Sequence, residues 1–127
     1  MNLLYTDLHI HTSDDPNQLN ESYNLELLIQ KIKEFNGNSE FLISLTDHNI
    51  INKRAYLKAI ELELNIILGV ELHIKNYESS PAYHCHIYFD LPAITESFID
   101  DINTKLNRLY PSKVVEKTDP TIPTIQK

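Results

Sequence analysis

A chain of 127 residues has room for one domain with one sizeable core and too little for two ordinary domains. With 42% hydrophobic and 23% charged residues it has the balance of a soluble globular protein, and its net charge of −7 argues against a broad basic surface for nucleic-acid backbone. The single cysteine, Cys85, excludes an intrachain disulfide and a cysteine-rich zinc finger, so any metal must be held by histidine and carboxylate.

The acidic balance does not exclude a metal-dependent nuclease, because bound divalent ions would reverse the local sign. No window has the ~18 uncharged apolar residues of a membrane span, and MNLLYTDLHIH lacks the basic start of a signal peptide. A cytoplasmic setting is the expectation.

Residues 3–11, LLYTDLHIH, combine apolar and β-favouring residues at short spacing and predict a strand. Residues 13–20, with Asp, Asn and Pro, predict a loop. Leu25, Leu28, Ile29, Ile32 and Phe35 then recur at helical spacing, and Asn36-Gly37 supplies a stop. FLISLTDHN (41–49) is a short apolar run ending in polar residues, and INKRAYLKAIELEL (51–64) puts Tyr56, Leu57, Ile60 and Leu64 on one helical face. NIILGVELHI (65–74) and AYHCHIYFD (82–90) are the third and fourth apolar runs. Ile94, Phe98, Ile102 or Ile99, Leu106 and Leu109 predict a last helix. Beyond Tyr110-Pro111 no period persists. The expected division is a metal-binding β/α domain over 1–110 and, over 111–127, a tail or the start of a continuation. Strands alternating with helices imply crossover units and a mainly parallel sheet or barrel.

Each of the six histidines, His9, His11, His48, His73, His84 and His86, falls at or near the end of a predicted strand. In parallel α/β folds the carboxyl ends of strands form one rim, so four strands are expected to deliver imidazoles to one place. His9 and His11, two apart on a strand, point to the same face and can converge on one ion. A lone His-x-His is more often a pair of satisfied or exposed histidines. Asp7 shares that face two residues deeper, where a carboxylate could orient a ligand imidazole. Asp47-His48-Asn49 ends the second run; alone it would be an ordinary polar turn. Glu71 follows IILGV and would cost several kcal/mol if buried unpaired. An exposed strand end would explain it more simply, but a metal explains it better once the histidines are counted.

DLHIHTSDD, SLTDHN, GVELH and YHCHIYFD, in this order and at these separations, resemble the successive motifs of the PHP superfamily, the polymerase and histidinol phosphatase domains. The match covers residues 3–90. The resemblance implies a distorted (β/α)7 barrel, of which this chain would be the first half, with two or three divalent metals at its strand ends and hydrolysis of phosphate esters.

Carried over by position, His9 and His11 would bind one metal with the bridging carboxylate of Glu71, and His48 a second with an acid from the following loop, Asp14 or else Asp15. These metal-bound groups, His9, His11, Glu71 and His48, would form the catalytic centre. His84 matches the next ligand, with His86 the alternative; Asp7 and Asp47 would stand behind the ligands. His73 has no usual counterpart and is expected to be partly exposed or to support a ligand.

The family places a further histidine and an Asp-x-His motif in later strands, whereas no histidine follows His86 here. A front fragment of a longer protein is expected, ahead of a barrel completed by a further segment or subunit, or a reduced version.

Histidine and carboxylate suit Zn, Mn or Fe better than Ca or Mg. The expected function is a metal-dependent phosphoesterase, phosphatase or nuclease, acting on a phosphorylated small molecule or a nucleic-acid end, with no membrane partner. The alternative is a catalytically inactive PHP-like scaffold or interaction module of a larger protein or complex. Amidohydrolase barrels also begin with His-x-His, but TDHN followed by GVE is not their pattern.

Overall fold

Each predicted apolar run contains a strand and each helical period a helix. In chain order they are β1 (Tyr5–Ile10), α1 (Leu25–Asn36), β2 (Phe41–Leu45), α2 (Lys53–Glu61), β3 (Gly69–Ile74), β4 (Tyr83–Tyr88) and α3 (Glu96–Leu109). This computed structural model describes residues 4–37 and 40–125; residue 3 of the first predicted strand and residues 126–127 of the tail lie outside them.

Side-chain chemistry sets the helix limits. Asn24, Asn52 and Thr95 each accept a hydrogen bond from the backbone N–H three residues on, satisfying an otherwise orphaned donor at the starts of α1, α2 and α3. Gly37, at φ 62°, closes α1 in the left-handed conformation that glycine adopts without steric cost. The buried stripe of α1 is Leu25, Ile29, Ile32 and Asn36. Phe35, expected on that stripe, is 84% exposed and meets Tyr5 edge-on at 6.3 Å. In α2 the buried face is Ala55, Tyr56 and Ala59; Ile60 is turned outward, and the helix stops before Leu64. Leu109, at the end of α3, is likewise exposed.

The architecture is mixed α/β. β1 and β2 pair in parallel from Tyr5↔Phe41 to Ile10↔Leu45, and parallel bridges Ile43↔Ile66 and His48↔Glu71 carry the array on to β3. β4 departs from the mainly parallel expectation: it runs antiparallel to β3, with Glu71 opposite His86 and His73 opposite His84. The physical reason is length. Residues 75–82 contain no helix and are too few for a parallel crossover of about a dozen residues, so the chain turns back.

The Tyr56 phenol joins the two strand pairs. It accepts from Leu45 N at 3.0 Å and Gly69 N at 3.1 Å and donates to Leu45 O at 2.7 Å. Burial pushes its pKa up to about 12, so it stays a neutral donor and acceptor. The array then curls until β4 reaches β1, where Tyr88 Oη donates to Leu8 O at 2.5 Å.

Residues 111–125 pack onto this framework. Val114 and Ile122 join Leu45, Leu68, Val70, Ile99, Leu106 and Tyr110 in the core, and Lys75 bridges Thr124. Among the described residues no helix is long and apolar enough to cross a membrane.

Candidate metal centre

The curled array surrounds one carboxylate. Glu71, the third residue of β3, is 1% exposed, at a position where an apolar residue would pack without cost. Five imidazoles approach it. His9 Nε2 and His86 Nε2 lie 2.9 and 2.5 Å from Oε1. His11 Nε2, His48 Nδ1 and His84 Nδ1 lie 3.2, 2.8 and 3.5 Å from Oε2.

Hydrogen bonding does not account for this crowd. A carboxylate between five ring nitrogens would need an N–H aimed along each approach, yet only His86 meets it in hydrogen-bond geometry. His11 Nε2, His48 Nδ1 and Glu71 Oε2 are all buried without a hydrogen-bond partner. They are three of the four such side-chain atoms among the described residues, the fourth being Thr46 Oγ1. Each orphan costs about 1–3 kcal/mol in a closed interior. Convergent lone pairs that do not bond one another fit a cation.

Two ligand groups emerge. His9, His11 and Glu71 form one, and His48, His73 and His84 the other, the donor atoms within each group lying within 4.8 Å of one another. The rings are also in mutual contact, with centroids 4.3 Å apart for His9 and His86, 4.4 Å for His11 and His48, and 4.4 Å for His73 and His84. On one side the cluster opens to solvent, with His9 55% and His84 39% exposed, while His48 is 12% exposed.

Burial favours neutral His48 and His73 beside an ionised Glu71. Burial, then the neighbouring His11, His73 and His84, outweigh the attraction of Glu71 and lower the His48 pKa to about 4. Burial and His84 likewise lower that of His73. At Glu71 burial pushes upward, but the hydrogen bond from His86 and the pull of His48, His11 and His84 overcome it and hold the carboxyl below its usual value. Neutral imidazole and ionised carboxylate are the forms that bind metal.

This makes the metal-free protein acid-sensitive. His48 has a lower pKa folded than unfolded, so its contribution is complete above about pH 6.5 and is lost as the pH falls toward about 4. Glu71, also lowered on folding, acts in the same direction at still lower pH. Thermal unfolding of the chelated protein is expected at a lower temperature at pH 5 than at pH 7. An unchanged midpoint would contradict a neutral buried His48.

Several expected roles are redistributed. Asp14 is exposed, and Asp15 accepts from Asn17 N at 2.9 Å within its own loop; neither belongs to a ligand group. Asp7 does not reach an imidazole. The β1 register slips by one residue between Asp7 and Ile10, and Asp7 Oδ1 accepts from His9 N at 3.1 Å, bracing the backbone there. Asp47, 1% exposed, accepts from Thr12 N at 2.8 Å, Thr12 Oγ1 at 2.8 Å and Ser13 N at 3.1 Å. It ties down the segment after His11. Burial raises its pKa, partly opposed by those hydrogen bonds.

Sequence reasoning missed two residues. His73 is 1% exposed rather than partly exposed, and it stands among His48 and His84. Asn49, at φ 59°, accepts from His73 N through Oδ1 at 2.9 Å and donates from Nδ2 to Val114 O at 2.7 Å. The signal for Asn49 was its place after His48 in TDHN, since asparagine tolerates the left-handed conformation better than most residues. Cys85 pairs with Leu72 on the strand face opposite the histidines.

No family model matches the chain, nor does any curated protein or solved structure.

Proposed function

We propose that the chain is a metal-dependent phosphoric ester hydrolase of the PHP type, built on the first half of a distorted (β/α)7 barrel. The observation that carries this reading is the buried Glu71 carboxylate amid five imidazoles, with three orphaned donor atoms. The order of the four motifs along the chain supports the same reading.

In this reading Glu71, His9 and His11 hold one divalent ion and His48 belongs to a second. Imidazole with a single carboxylate favours Zn, Mn or Fe over Ca or Mg. Bound there, such ions would supply Lewis acidity toward water and positive charge for phosphoryl oxygens. The chain's own groups do the rest. Asp47 and Asn49 anchor the segments that carry His11 and His48, and His9 and His84 line the open side where a substrate enters. Substrates of this class are phosphorylated small molecules or nucleic-acid ends.

The test is hydrolysis of phosphomonoesters, phosphodiesters and oligonucleotide ends by the metal-loaded chain, beside His9→Ala/His11→Ala. A loss of about a thousandfold or more is expected in the double variant, in proportion to the removal of a catalytic metal. Equal hydrolysis by both proteins would sink the assignment. A non-catalytic scaffold is the second reading, favoured by the absence of Asp14 and Asp15 from the ligand groups. Bound metal without turnover on any of these esters would select it.

A further inference from the structure

We infer that a second metal is held by three imidazoles, His48, His73 and His84, with His73 taking the place expected of the loop acids Asp14 and Asp15. The inference deepens the proposed hydrolase centre and rests on that centre binding metal.

His73 is placed for this. It is the cross-strand partner of His84 in the β3–β4 ladder, which puts the two side chains on one face of the hairpin. Their ring centroids are 4.4 Å apart, and that of His48 lies 5.1 Å from each. One donor nitrogen from each ring lies within 4.8 Å of the others.

The backbone of His73 is pinned on both sides. Its N–H donates to Asn49 Oδ1 at 2.9 Å, and its carbonyl accepts from Tyr110 Oη at 2.6 Å. The ring has outer partners as well. It hydrogen-bonds the Val115 backbone, and the Asn49 amide nitrogen lies 2.9 Å from Nδ1. An amide nitrogen only donates, so Nδ1 accepts from Asn49 and the ring proton lies on Nε2; an ion on His73 would displace the Asn49 contact. A core position needing only apolar volume would be served by leucine, without the two polar partners of the ring.

The loop carrying Asp14 and Asp15 is occupied with its own contacts. Asp15 caps Asn17, and Ser13 Oγ donates to Gln18 O at 2.8 Å. Three imidazoles select Zn or Co over Mg or Ca, and the Glu71 carboxylate adjoins them, its Oε2 2.8 Å from His48 Nδ1 and 3.5 Å from His84 Nδ1.

The test loads the metal-free full chain with Co²⁺, removes excess by desalting, and reads bound cobalt by elemental analysis and visible absorption. Two ions per chain are expected in the wild type and in Asp14→Asn/Asp15→Asn, and one in His73→Gln and in His84→Ala. The partly exposed His84 keeps the test decisive if His73→Gln fails to fold. Fewer than two ions in the wild type, two in either histidine variant, or a loss in the double aspartate variant would overturn the site. Since the readout is bound cobalt, an absence of ester hydrolysis would count against the hydrolase alone.

Discussion

Glu71→Gln is expected, under the proposed function, to lose an ion assigned to His9 and His11 and to lower ester hydrolysis by about a thousandfold or more, some 4 kcal/mol of transition-state stabilisation. The substitution keeps the shape of the side chain and removes its charge. All five neighbouring imidazoles approach one carboxylate, so no other acid within the two ligand groups replaces it. Elemental analysis should show one ion fewer per chain, and turnover should fall in parallel. A variant that kept its full metal content and its activity would show that the histidines alone hold the ions and that the carboxylate is incidental.

Asp47→Ala is expected to destabilise the fold by about 3–5 kcal/mol and to weaken metal binding about 10–100-fold. The carboxylate receives three hydrogen bonds from Thr12 and Ser13, and its loss removes the acceptor of a buried N–H at Thr12 and a half-buried one at Ser13. Thr12 Oγ1 also accepts from Asn52 Nδ2, the residue that caps α2, so the damage spreads from the segment after His11 to the second helix. Denaturant unfolding of the chelated variant and metal titration of the loaded one measure the two effects separately. Wild-type stability would mean that the segment is held by other contacts.

Much of the fold was legible because it depends on local chemistry. Asn36-Gly37 marks the end of α1 since glycine closes a helix in a conformation that costs other residues energy, whereas the Asn24 and Asn52 caps showed only in the structure. The buried faces were less legible. Hydrophobicity placed Phe35 and Ile60 inward, but the buried face of α2 is small Ala55 and Ala59 with the hydrogen-bonding Tyr56. Periodicity alone does not weigh residue size.

For the site, the amino-acid sequence by itself determined the chemical inventory: six histidines, a glutamate inside an apolar run, no cysteine pair, and spacings that set His9 beside His11 and His84 beside His86. Tertiary structure alone decided which of these meet. Ligation is settled over a few ångströms by side-chain direction, and direction changes when a register slips by one residue, as it does between Asp7 and Ile10. It changes again when a strand turns back, as β4 does, setting His84 against His73 and His86 against Glu71. Asp14 and Asp15 adjoin the His pair in sequence and stay outside both ligand groups, whereas His73, deep in the third run, enters one, because convergence follows the path of the backbone through space.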